Sequence, residues 1–207
     1  MISILRRAPY ALMLLLALYI AFVSYRYLMP GMPGGAPPIM ANRFADPFLP
    51  VHAGLAATAL LIGPFQFWGR RDGRRAVWHR LTGTLYMAAC LLSAPAGLML
   101  ALGSTAGPVA TAGFGLLALA WFFTTVQGLR TVLAGRYAEH RKWMIRSFAL
   151  TFAAVTLRLY LPASAMLGLD MGQAYVAISW LAWIPNLLIA EWFMLSRRPF
   201  RTDLQPA

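Results

Sequence analysis

Six apolar runs of membrane-spanning length recur along the chain, at about 8–28, 48–68, 80–102, 110–131, 144–166 and 174–195. Each is close to the roughly 20 residues that an α-helix needs to cross a bilayer. Polar residues gather between the runs rather than on a repeating face. The pattern therefore predicts an all-α membrane bundle of six spans, folded as a single domain over residues 1–207. The segment 30–50, "PGMPGGAPPIMANRFADPFLP", is rich in Pro and Gly and is expected to be an irregular loop. Residues 196–207 are expected to form a polar tail. Arg6 and Arg7 before the first run resemble the basic start of a signal peptide. The apolar stretch behind them is long and meets no A-x-A site before the next polar segment, so an uncleaved first span is expected.

Composition sharpens the class. Of the 207 residues 60% are hydrophobic and 12% charged, and mean hydropathy is +0.63. Soluble domains are nearer half apolar and a quarter charged. The net charge of +12 comes from clusters between the runs, which mark topology rather than a nucleic-acid face. Fifteen of the 18 Lys and Arg residues fall on one side of a six-span chain. They lie in the N-terminal tail, the loops after spans two and four, and the C-terminal tail. The opposite loops carry Arg26 and Arg43. The positive-inside rule then puts both termini in the cytoplasm, as a multi-pass protein of a bacterial inner membrane. The lone Cys90 rules out an intramolecular disulfide and a CxxC redox motif.

The remaining polar residues are the candidate chemistry. His52 lies near the outer end of span two, while His79 and His140 lie at the inner ends of spans three and five. Near the inner pair sit Gln66, Gln127, Arg80, Arg141, Arg146 and Glu191. A carboxylate within a span is usually paired or functional, and Glu191 is expected to form a structural ion pair with Arg80 or Arg146. Two histidines at equal depth on neighbouring helices suit the axial positions of a b-type haem, with Arg80, Arg141 and Arg146 to hold its propionates. A small metal site using His79, His140 and Glu191 is a further reading.

Arg158 is the other anomaly. It lies about 16 Å into span five, where an arginine costs roughly 2.5 to 3.5 kcal/mol unless it faces protein or a hydrated cavity. Pro162, four residues on, frees the Arg158 carbonyl and is expected to bend the helix there. The bend would open an outer pocket into which Arg158 turns toward His52 and Asp46 or Asp170. Such a pocket would hold a small anionic ligand, a lipidic ligand, a quinone or a partner subunit. No G-x-S-x-G, H-E-x-x-H or P-loop motif is present, so no catalytic residue is assigned. Nothing in the pattern marks a pair of broken helices of the transporter kind.

The motifs H-A-G (52–54), G-P-F-Q (63–66), H-R-x-x-G-x-x-Y (79–86) and H-R-x-W-M-x-R (140–146) resemble an uncharacterised family of predicted bacterial membrane proteins. The resemblance covers residues 48 to 196 and implies a multi-pass fold without an activity. At a greater distance the histidines on successive helices resemble membrane cytochrome b and ferric-reductase-like bundles. That likeness implies haem, although three histidines are present where two haems need four. Two functions follow as expectations: a b-type haem electron-transfer module at His79 and His140, or a non-redox binding protein built around His52 and Arg158.

Overall fold

The structure is a computed structural model that describes residues 2–29, 41–67 and 73–196. Most of the Pro/Gly stretch, Trp68, Arg70, Arg71 and the tail arginines lie outside these residues. Among the described residues all regular structure is helical, with six segments long and apolar enough to span a membrane. Helix α1 (Ile2–Ser24) ends in a 3-10 turn, Tyr25–Leu28. Helix α2 (Ala45–Ile62) ends in another, Gly63–Phe67. Helices α3 (Gly73–Leu102) and α4 (Pro108–Leu133) are the third and fourth spans. The fifth span consists of α5 (Tyr137–Thr151) and α6 (Ala153–Met166). The sixth consists of α7 (Met171–Leu181) and α8 (Ile184–Ser196).

Helices begin earlier than the hydropathy pattern predicts, most of all α1, α3 and α5. α3 starts at Gly73 and α5 at Tyr137, because polar residues that a bilayer would reject still complete helical turns outside it. α2 also reaches into the expected loop. Asp46 is extended (φ −99°, ψ 127°), and the regular turns start behind it, where Pro47 takes a first-turn position that needs no N–H donor.

The fifth and sixth spans are interrupted, contrary to the expectation of unbroken helices. In span five the break is at Phe152, not at Pro162, which lies inside α6. Thr151 Oγ1, one residue before the break, bonds back to the Ser147 carbonyl at 2.9 Å. Hydroxyls returned to the backbone in this way bend helices. In span six Pro185 has no N–H for the Leu181 carbonyl, and the helix stops at Leu181. The Ala182 carbonyl accepts from Thr156 Oγ1 and, at 3.0 Å, from Asn186 Nδ2. Asn186 Nδ2 also donates to Thr156 Oγ1 at 3.2 Å. The two breaks are thereby joined side to side.

Spans two to five pack in sequence, while span six packs on spans four and five and span one on spans two and five. The large side chains facing outward, such as Leu15, Phe22, Leu92 and Leu188, are apolar where lipid would touch them. The interior is polar at one level. Tyr86 is 1% exposed, and its hydroxyl lies 2.8 Å from Thr151 Oγ1 and 3.1 Å from Ser147 Oγ. Trp121 Nε1 donates to Thr151 Oγ1 at 2.9 Å, and Thr125 Oγ1 lies 2.9 Å from Ser147 Oγ. This network ties spans three, four and five together, and its satisfied hydroxyls fix the register of those helices.

Close approach depends on small residues, and Gly113 is a tight case between two spans. A Cβ there would lie 2.9 Å from Ser179 Cβ and 3.0 Å from the Ser179 carbonyl oxygen. Gly113→Val should push span four off span six and cost about 1–3 kcal/mol, as overpacking does. Gly115 is different, because its nearest neighbour, Leu98 Cδ1, is 3.8 Å from an added Cβ. Gly115→Ala should be neutral or raise stability by up to about 1 kcal/mol through better helix propensity. Thermal melts in one detergent compare the two, and equal losses would refute the packing account.

Candidate functional site

A cavity of about 190 Å³ lies in the half of the bundle away from the arginine-rich loops, lined by all six spans. Alanine and leucine side chains make up most of its wall, with Phe114, Trp121 and Tyr175 as aromatic surfaces. His52 and Arg158 are both on that wall. His52 is seven residues into α2 from Ala45, and Arg158 is eight residues before the end of α6 at Met166. At 1.5 Å per residue both lie about 10–12 Å from that end of the bundle.

Span three holds the His52 ring. Nδ1 lies 3.0 Å from both the carbonyl oxygen and the hydroxyl of Ser93. Ser93 Oγ donates its own proton to the His52 carbonyl at 3.0 Å, so both oxygens facing Nδ1 are acceptors there. Nδ1 therefore carries the ring proton, and Nε2 carries a lone pair. Gly97, one turn past Ser93, makes room for the ring. An added Cβ would sit 2.9 Å from His52 Cε1 and Nδ1. Trp121 packs edge-on against it at 6.3 Å between centroids.

Arg158 turns back along its own helix. Nη1 donates to the Ala154 carbonyl at 3.1 Å, and the Tyr27 side chain supplies a further hydrogen bond. Neither aspartate reaches it. Asp170 accepts from Gln173 N at 2.8 Å as the cap of α7, Asp46 sits at the start of α2, and neither lines the cavity. Among the described residues no carboxylate pairs with Arg158. A largely buried guanidinium thus shares a cavity wall with an imidazole lone pair, with no counter-ion among the described residues.

The arginine-rich end is organised differently. Arg146 takes both Glu191 oxygens, through Nε and, at 2.8 Å, through Nη2, so the ion pair expected of Glu191 joins α5 to α8. The Arg146 guanidinium also lies 4.7 Å from the centre of the Trp143 ring. His140 Nδ1 donates to the Gly128 carbonyl at 2.8 Å. His79 is half-buried on α3, and Arg80 and Arg141 are exposed. His79 and His140 do not line the cavity. The three-ligand metal reading fails: no group of three His, Cys, Asp or Glu able to hold a metal occurs among the described residues, and Glu191 is held by Arg146.

Ser93, Gly97 and Tyr27 are site residues that the sequence left unmarked, whereas Trp121 stood out as one of three deep tryptophans able to line a cavity. Ser93 and Gly97 are four apart in "SAPAG" and so share one face of α3. That spacing was the available signal.

The Arg146–Glu191 pair has side chains 24% and 35% exposed, which puts it between a surface bridge and a buried one. Glu191→Gln should lower the melting temperature. The exchange Arg146→Glu with Glu191→Arg should recover part of that loss, with a coupling of about 1 kcal/mol. A double-mutant cycle that gives zero coupling would leave α8 held by packing alone.

No curated protein and no solved structure matches the chain. A family model described as "Predicted membrane protein (DUF2306)" matches residues 49–194. The match takes in most of spans two to six and with them His52, Ser93, Gly97, Trp121 and Arg158, leaving Ser24, Tyr27 and Asn42 of the cavity lining outside it. The chain belongs to the predicted membrane protein family DUF2306.

Proposed function

We propose that this protein is a non-redox binding protein of the bacterial inner membrane, with both termini cytoplasmic. In this reading the outward-facing half holds a small, mostly apolar ligand. The polar group of that ligand sits on His52 and Arg158. One observation carries the reading: the cavity presents a guanidinium without a carboxylate partner among the described residues. A charged side chain at this depth costs several kcal/mol unless something on the protein or in the cavity offsets it, and pockets of this kind combine apolar walls with a few convergent polar groups.

Native mass spectrometry of protein released from its own membranes tests this. Wild-type protein should carry one small molecule. Arg158→Met should lose it because the polar anchor is gone, and Ala56→Phe because its ring fills the space that Ala56 lines. Wild-type protein with no bound small molecule, and no stabilisation by the apolar fraction of its host membrane, would sink the proposal. The absorption spectrum of the same sample addresses haem. A Soret band lost in His79→Ala or His140→Ala would move the function to the arginine-rich end.

Gly97→Ala probes the same site without replacing either polar anchor. Its methyl group would displace the His52 ring from Ser93. Ligand affinity should fall by roughly tenfold or more, as when a buried hydrogen bond is lost. Titration with the molecule identified by mass spectrometry measures this directly.

A further inference from the structure

The chemistry of the two polar groups narrows the class of ligand, on the assumption that the cavity binds one. Arg158 offers only donors. His52 offers the opposite, because the Ser93 carbonyl and hydroxyl both accept from Nδ1 and leave the lone pair on Nε2. No hydrogen bond to Nε2 is formed by any described residue, and Nε2 is not among the sealed, unpartnered atoms of the interior. The ring belongs to the cavity wall, so that lone pair is open to an occupant. His52 and Arg158 line the same cavity, so one occupant can meet both.

We infer that the ligand is a neutral hydroxyl compound, an alcohol or a phenol-type ring, and not an anion. A hydroxyl donates to Nε2 and accepts from the guanidinium at once. A carboxylate accepts from Arg158, but its second oxygen meets a lone pair and must bring a proton to Nε2 before it can stay. A ketone or ether also leaves Nε2 without a donor. Most of the remaining wall is apolar, with Phe114, Trp121 and a row of alanines and leucines, and its other polar side chains, Ser24, Tyr27, Asn42, Ser104, Thr151 and Tyr175, are neutral.

Two measurements test this on the intact protein in detergent. The first needs no ligand: ¹⁵N NMR of protein labelled in histidine should show the His52 ring, assigned by its loss in His52→Phe, as the neutral form protonated at Nδ1. A proton on Nε2 would overturn the inference. The second compares three probes of similar size by calorimetry, namely methyl 4-hydroxybenzoate, methyl 4-methoxybenzoate and benzoate. The hydroxyl probe should bind roughly tenfold or more tighter than the other two, which lack a donor for Nε2. His52→Phe should erase that preference, and Arg158→Met should weaken the hydroxyl probe. Benzoate or the methoxy ester binding as tightly as the hydroxyl probe would overturn the inference while leaving the cavity as a binding site. Failure of all three to bind would overturn the inference too. The cavity reading would then stand or fall on the small molecule found by mass spectrometry.

Discussion

A polar group carried into hydrocarbon must find its partner inside the protein, because lipid offers none. That requirement organises the interior of this bundle. Spans three, four and five meet around Tyr86, Trp121, Thr125, Ser147 and Thr151, whose side chains hydrogen-bond one another or a backbone carbonyl. Apolar packing between helices is as easily satisfied by lipid as by protein, so it selects register weakly. A hydroxyl that has only one place to go selects it strongly.

The same requirement accounts for the two interrupted spans. Pro185 removes a donor from span six, and Thr156 and Asn186 attend to the neighbouring Ala182 carbonyl from both sides. Span five yields at Phe152, directly after Thr151, which returns its hydroxyl to the backbone. Non-helical backbone at membrane depth is tolerated where protein covers it, and here each broken span covers the other. Thr151, just before the first break, belongs both to the hydroxyl network and to the cavity wall, so the network and the cavity are continuous.

His52 and Arg158 depart from the pattern of completed partnerships. Span three holds one face of the imidazole and leaves the other face to the cavity. Arg158 keeps one donor on its own helix and one on Tyr27, with no described carboxylate in reach. The contrast with the arginine-rich end is instructive. There Arg146 meets Glu191 with both arms of its fork, and a bidentate pair of that kind ties helices together. The same residue type thus closes an ion pair at one level and stands open at another.

Hydropathy alone was enough for the six spans and the all-helical class, because a run of about 20 apolar residues has few other stable homes. It also isolated Arg158, His52 and Glu191, since a polar residue stands out when its neighbours are apolar. The choice of partners lay beyond it. Arg80 and Arg146 were equal candidates for Glu191 until α5 was packed on α8, and Asp46 and Asp170 looked available to Arg158 until each was placed at a helix start away from the cavity. Pro162 seemed the obvious bend because proline is visible in a sequence. The break at Phe152 depends on where the Thr151 hydroxyl points. Ser93 and Gly97 were silent for the same reason: a small residue in an apolar helix acquires meaning only from the side chain that another helix presses against it. Residue type and periodicity settle which groups need a partner, whereas the crossing of helices remote in the chain settles which partner each one meets.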